Sequence, residues 1–298
     1  MSEFFPGLVL GIGKNVAWVA LDGEQQPRIA TLKRARGKRE MPVSGDRVEA
    51  QVLEDGSALI ERVLPRTAIL ERRIAQGRSK VMAANVDTLV TVTSLADPPP
   101  RLTTLDQLLA YAELEEIAAI VIFTKPDRAA PSLRKELAAL YESLGYDTLV
   151  VNPKTGQNMD ALRAKLDGRH SMLAGVSGVG KSSIFRALGG VAVVGELSSA
   201  GLGKQTTSAA RLYRLPAGFL IDSPGVAEFG LGQVTPAELV HSFRELREHA
   251  AACRFTDCSH LNEPACAVKA ALGAGSIAPS RYESYRRILE MCYTPPRA

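Results

Sequence analysis

The stretch Gly175-Val176-Ser177-Gly178-Val179-Gly180-Lys181-Ser182-Ser183 combines residue types whose shared chemistry is the binding of a polyphosphate. In a G-x-x-x-x-G-K-[ST] spacing the glycines let successive backbone N–H groups converge on the α- and β-phosphates, and the following helix aims its positive end at the same anion. Lys181 is expected to reach the β- and γ-phosphates, and the Ser182 hydroxyl to bind Mg²⁺. A glycine-rich turn with a fortuitous G-K-S is the alternative. The flanks argue against it, because His170–Ala174 reads as a strand entering the loop and Ser183–Leu188 as an amphipathic helix leaving it.

Other candidate groups fall at the ends of neighbouring strands. Thr124-Lys125-Pro126-Asp127 is similar to the guanine-reading [NT]-K-x-D, in which the carboxylate accepts from guanine N1–H and the exocyclic amine. Adenine offers neither donor there, and a buried carboxylate left unpaired rejects it. Lys125 would lay its aliphatic stem along the base and the phosphate loop. Asn152-Pro153-Lys154 follows the next strand, with the Lys154 N–H as the group expected to meet guanine O6, since Pro153 has none. Gly201–Ser208 reads as a switch loop in which Thr206 or Thr207 senses the γ-phosphate through Mg²⁺. Asp222-Ser223-Pro224-Gly225 is similar to the D-x-P-G in which the aspartate holds a magnesium-bound water and the glycine N–H meets the γ-phosphate.

The cluster Cys253-x₄-Cys258-x-His260-x₅-Cys266 holds three of the four cysteines, and its ligand set suits one tetrahedral, structural Zn²⁺ per chain. With four protein ligands it leaves no open position for catalysis. Cys292 is left over as a plain thiol.

The elements that must position these groups divide the chain into three expected segments. Residues 1–73 carry five short β-rich runs, which suggest a small closed barrel of the oligonucleotide-binding kind. Its third and fourth runs are joined by Lys33–Arg39, five positive charges in seven residues, suited to RNA phosphates or simply to solvent. Residues 74–233 alternate strands and helices, the pattern of a doubly wound α/β domain with its ligand at the carboxyl ends of the strands. Residues 234–298 are expected to be helical around the zinc cluster, beginning with one helix over Pro236–Ala251. The last helix, Arg281–Met291, carries Arg281, Arg286 and Arg287 as a solvated face or an RNA contact.

Length and composition allow this organisation without choosing it: 298 residues, 46% apolar, and a net charge of +4 too small to argue for nucleic acid by itself. No apolar run reaches the roughly 18 residues of a membrane span, and no leader is evident, so a cytoplasmic protein, monomeric and away from membranes, is expected.

The base reader precedes the phosphate loop, the reverse of the order in most GTPases. Together with the barrel and the Cys₃His segment, this permuted order resembles the ribosome small-subunit-dependent GTPase family known as RsgA or YjeQ, over nearly the whole chain from Leu8 to Leu289. The resemblance implies hydrolysis of GTP to GDP, late maturation of the small ribosomal subunit, binding to its 16S-type rRNA, and stimulation by the subunit. Thr124 stands where the family more often has asparagine, and Gln205 where it has a histidine before paired threonines. With Val226 unable to orient water, Gln205 is the candidate for that task, with Lys181 and Thr206 completing the catalytic set. The permutation also leads the chain from Gly225 directly into the C-terminal segment, a route by which nucleotide state could move it. Two other readings remain: a metabolic phosphate-loop kinase or phosphohydrolase, and an RNA-binding scaffold that holds GTP as a structural ligand.

Overall fold

The computed structural model describes residues 3–13, 16–24, 26–32, 41–74, 78–189, 211–215, 218–222, 231–232 and 234–293. The basic loop Lys33–Arg39, the switch segment with Gln205, Thr206 and Thr207, and Gly225 lie outside them.

Five strands, β1 (Phe5–Ile12), β2 (Ala17–Leu21), β3 (Arg28–Leu32), β4 (Arg47–Val52) and β5 (Ala58–Val63), close into a barrel in the order β1-β2-β3-β5-β4. Closure leaves no open edge, and the small buried residues Ala17, Ala30, Ala50 and Ala58 let the narrow interior fill with Val9, Val19, Val48 and Ile60. A hairpin of β6 (Ile69–Ile74) and β7 (Arg78–Ala84) follows, an element that the sequence pattern does not announce. It straddles the expected boundary at 73/74 and ties barrel to sheet. Gly45, at φ +91°, packs so tightly on it that a Cβ would lie 2.1 Å from the Ala84 carbonyl oxygen.

The central sheet contains β8 (Thr88–Ser94), β9 (Ala118–Thr124), β10 (Asp147–Val151), β11 (His170–Ala174), β12 (Arg211–Leu215) and β13 (Gly218–Asp222), in the order β10-β9-β8-β11-β13-β12. All pairs are parallel except β12 with β13. Strands buried on both faces explain the continuous apolar runs of β8 and β9. The crossover helices are α1 (Leu102–Leu114), α2 (Pro131–Ser143), α3 (Met159–Leu166) and α4 (Lys181–Ala187). The chain moves outward from β8 to β10, then returns to β11 on the other side of β8, so the reversal of strand order lies between β8 and β11. Open α/β sheets bind ligands at such a point.

The C-terminal part consists of α5 (Pro236–His241), α6 (Arg244–Ala250), α7 (Ala267–Gly273) and α8 (Pro279–Tyr293). Thr235 and Glu238 form a reciprocal capping box at the start of α5. The single helix expected over Pro236–Ala251 is broken at Phe243, whose backbone is extended (φ −103°, ψ 106°). The break turns the Phe243 ring fully inward against Tyr285, at a centroid distance of 5.7 Å. One core runs through all three parts, with Leu8 and Trp18 of the barrel, Leu89 and Met172 of the sheet, Tyr111 of α1, and Phe243, Tyr285 and Ile288 of the C-terminal helices. Among the described residues no helix is long and apolar enough to cross a membrane.

Candidate nucleotide site and metal centre

The loops after β8, β9, β10 and β11 all open at one edge of the sheet, because these strands are parallel. The phosphate loop leaves β11 at Gly175, whose φ of +146° and whose approach to β8 admit only glycine: a Cβ would meet the Val92 carbonyl oxygen at 2.2 Å. Gly178 and Gly180 also have positive φ, and α4 starts at Lys181 with Gly180 as its N-cap. Val179 is buried and pins the loop to the core, while Ser177 and Ser182 are exposed and Val176 and Ser183 half-buried. The Lys181 ammonium donates to the Gly175 and Val176 carbonyls at 2.6 and 2.9 Å. Burial lowers its pKa, and the nearby Asp222 carboxylate works against that. Asp222 itself is buried at the end of β13, level with Leu173 of β11.

The Thr124–Asp127 loop is bound to the phosphate loop by side chains. The buried Thr124 hydroxyl donates to the Val179 carbonyl at 2.5 Å, so threonine at this position keeps a bond between the two loops. Lys125 has left-handed φ (+57°), and its ammonium donates to the Gly178 carbonyl at 2.8 Å and to the Asp97 carbonyl. Its stem therefore lies beside the phosphate loop, as the sequence suggests. Asp127 sits in a single 3₁₀ turn, Pro126–Arg128, that presents its carboxylate half-exposed at the sheet edge.

Asn152, at the end of β10, is 5% exposed and bonded on every side. Its Nδ2 donates to Asp127 Oδ1 at 3.0 Å, and its Oδ1 accepts from the Lys154 N–H at 3.0 Å. Its own N–H donates to the Gln157 carbonyl, and its carbonyl accepts from Thr155 and Gly156. The Lys154 N–H, expected to meet guanine O6, is thus committed to Asn152. Asp97, which the sequence pattern places in a connector, forms another wall of the site: its carboxylate accepts from Arg128 at 3.1 Å, and its carbonyl from Lys125. Its position after β8, next to the phosphate-loop strand, was the signal available for it.

The cysteine cluster lies between α6 and α7. One ligand atom from each of Cys253, Cys258, His260 and Cys266 falls within 4.8 Å of the others. Cys253 Sγ and Cys266 Sγ are each 3.5 Å from His260 Nδ1 and 3.9 Å from one another. A tetrahedral zinc ion with Zn–S of about 2.3 Å and Zn–N of about 2.05 Å requires roughly 3.6 Å for S···N and 3.8 Å for S···S, which the Cys253, His260 and Cys266 distances match, with Cys258 close by as a fourth ligand. All four cysteines of the chain are free thiols. Second-layer bonds hold the loop that carries the ligands: Tyr282 and Tyr285 hydroxyls donate to the His260 and Ser259 carbonyls at 2.7 and 2.9 Å. Glu263 accepts from the backbone N–H groups of Ser259, Leu261 and Asn262. Burial opposes its ionisation, but the bonds from Ser259 and the backbone outweigh that and hold its pKa at about 2.

Arg281 is not on a solvated face. It is 1% exposed, and donates to Glu245 at 2.6 and 3.1 Å and to Asp106 at 2.5 Å, with its guanidinium 4.5 Å from the Phe243 ring centroid. The Tyr141 hydroxyl donates to the same Asp106 oxygen at 2.7 Å. Arg286 and Arg287 are on the outer face as expected, both paired with Glu283.

Residues 63–232 match the family described as RsgA GTPase. The small ribosomal subunit biogenesis GTPase RsgA of Dickeya dadantii is 40% identical over 261 residues, which are 83% of this chain and 74% of that protein. The crystal structure of YjeQ from Thermotoga maritima is 30% identical and superposes with a TM-score of 0.76 over 98% of this chain and 100% of that one. The structure of YloQ, described as a circularly permuted GTPase, is 25% identical, with a TM-score of 0.72 over 99% and 98% of the two chains. With its phosphate-loop strand in mid-sequence and the Thr124–Asp127 loop ahead of it, the chain belongs to the RsgA family of GTP-hydrolysing phosphate-loop enzymes.

Proposed function

We propose that this GTPase acts in the cytoplasm in late maturation of the small ribosomal subunit, binds the subunit through its 16S-type rRNA, and is stimulated by it. The observation that carries the nucleotide assignment is the union of two loops at one sheet edge: the phosphate loop on β11 and the Asn152-braced carboxylate of Asp127 beside it. The relatives named above supply the ribosomal context. In this reading Gly175–Ser183 and Lys181 hold the phosphates, Thr124, Lys125 and Asp127 form the base pocket with Asn152 and Lys154 bracing Asp127 from behind, and Gly225 meets the γ-phosphate. Ser182, Thr206 and Asp222 hold Mg²⁺, which neutralises charge on the β- and γ-oxygens when bound. Thr207 supports the switch, and Gln205 orients the attacking water. Cys253, Cys258, His260 and Cys266 hold one structural zinc ion. The protein acts as a monomer.

Single-turnover hydrolysis with and without small subunits tests the function. The expected result is slow intrinsic turnover and a large acceleration by subunits, and equal rates would dismiss the ribosomal role. Neutralising Lys33, Arg34, Arg36, Lys38 and Arg39 should weaken subunit binding and flatten its salt dependence while leaving GTP affinity in place. Unchanged subunit affinity would move the RNA surface elsewhere. For the base, Asp127→Asn should exchange a preference for GTP for one for xanthosine triphosphate, shifting the affinity ratio about a hundredfold or more, because the amide donates to the 2-oxo group. Calorimetry with both nucleotides decides it.

A further inference from the structure

Resting on Asp127 as the base reader, we infer that Asn152 is a positioning residue that sets which way the group at position 127 faces, and so sets the selectivity of the pocket without touching the base. The argument is one of hydrogen-bond polarity. A backbone N–H can only donate, so the Asn152 atom 3.0 Å from the Lys154 nitrogen is the amide oxygen. The other end, 3.0 Å from Asp127 Oδ1, is then the NH₂ group, a donor to a carboxylate. Neither end can turn over, because inversion would set NH₂ against N–H and oxygen against carboxylate. The Asn152 backbone is also fixed, through Gln157, Thr155 and Gly156, and the side chain is buried. The chain Lys154 N–H to Asn152 to Asp127 is therefore a one-way relay. It holds Oδ1 of residue 127 as an acceptor and leaves the Oδ2 side, 3.9 Å from the Arg128 Nε, to the exocyclic 2-position of the base.

The relay makes a prediction that a merely structural asparagine does not. In Asp127→Asn, the Asn152 NH₂ still requires an oxygen opposite it, so the new amide turns its own NH₂ toward the 2-position, the orientation xanthine needs. Changing Asn152→Asp in that background reverses the demand. The Lys154 N–H still binds one oxygen of the carboxylate now at position 152, but the other oxygen is an acceptor and draws the NH₂ of the amide at position 127 to itself. The oxygen of that amide then faces the 2-position, where guanine offers a donor and xanthine another acceptor.

Affinities for GTP and xanthosine triphosphate, measured by calorimetry on full-length wild type, Asp127→Asn and the double variant, test the relay. The expected result is a xanthine preference in Asp127→Asn that falls by about tenfold or more, toward GTP, in the double variant. A double variant that keeps the full xanthine preference overturns the relay. Failure of Asp127→Asn alone to shift preference overturns the base-reading assignment instead, so the two are separable. If the double variant binds neither nucleotide, Asp127→Asn with Asn152→Ala decides: the released amide turns freely and the preference should shrink, whereas an undiminished preference rejects the role of Asn152.

Discussion

Protein stripped of zinc, or carrying Cys258→Ala, should lose the fold of the segment between α6 and α7, at a cost on the order of 10 kcal/mol in the ordering of that segment. From residue 251 to residue 266 the chain forms only turns and bends, and most of its side chains are exposed. Fixing each residue costs about 1–2 kcal/mol in backbone entropy, and little apolar burial is present locally to offset it. The buried atoms that it does have are mostly the ligands, since Cys258, His260 and Cys266 are 6%, 2% and 6% exposed. Without a metal, three sulfurs and an imidazole would be packed together with few donors among them, an arrangement that thiols do not favour on their own. Elemental analysis should find one zinc per chain in protein prepared without chelator, and hydrogen exchange across the segment should rise sharply once a chelator removes it. Absence of stoichiometric metal would reject the site. A segment that stays protected after metal removal would show that Tyr282, Tyr285 and Glu263 suffice to hold it.

What the sequence disclosed and what it withheld follow from the range of the interactions. The phosphate-loop, T-K-x-D and Cys₃His spacings are each local, so all three can be read from the sequence, and motif order exposes the permuted sheet because the first two must each follow a strand. The barrel was legible for a similar reason, since its short runs alternate with turns. Arg281 was not legible as a core residue: its partners Glu245 and Asp106 are 36 and 175 positions away, and an arginine on a terminal helix ordinarily faces water. A trace was present in the buried stripe Arg281, Ser284, Tyr285, Ile288, which has helical spacing. The break at Phe243 was hidden because Pro236–Ala251 has no glycine or internal proline to mark it; what accompanies it is tertiary, the packing of the ring against Tyr285 and the Arg281 guanidinium. The relay through Asn152 was hidden by polarity, because a sequence names the amide without saying which end meets which neighbour.

These long-range contacts also bear on how nucleotide state is communicated. The chain runs from Asp222 toward α5, so the sequence leads one to expect a direct mechanical route from the switch to the C-terminal part. Yet that part is also anchored to the sheet domain at the end of α1 and at the turn after α2. Arg244 donates to Glu113 at 2.7 Å and to the Leu144 and Gly145 carbonyls, and lies 3.9 Å from the Tyr146 ring centroid. Any rotation of the C-terminal helices against α1 and α2 must break these bonds as well as the Arg281 pairs. Small displacements near α5 are therefore cheaper than a swing of the whole C-terminal part.

Arg281→Met should destabilise the protein by about 3–5 kcal/mol, because it strands Asp106 and Glu245, both nearly fully buried, without a cation. Burial raises the pKa of Asp106 in the native protein, and the Arg281 charge together with bonds from Ser284 and Tyr141 pulls it back. With the guanidinium gone the pull weakens and Asp106 rises further. An acid whose folded pKa lies above its unfolded value binds more protons when folded, so between the two values stability falls as pH rises. The deficit of Arg281→Met should consequently be largest near neutral pH and shrink on acidification toward the unfolded carboxylate range of about 4. Urea titrations of both proteins at several pH values measure this directly, and a deficit below about 1 kcal/mol at neutral pH would refute it. Burying an ion pair is expensive as well as breaking one, so removing the whole network should cost less than removing its centre. The combination Asp106→Leu, Tyr141→Phe, Glu245→Met and Arg281→Met is expected to recover most of the loss. Such recovery would assign the network to fixing the orientation of α8 on α1 rather than to stability, since apolar groups of similar size hold the same helices without demanding one geometry.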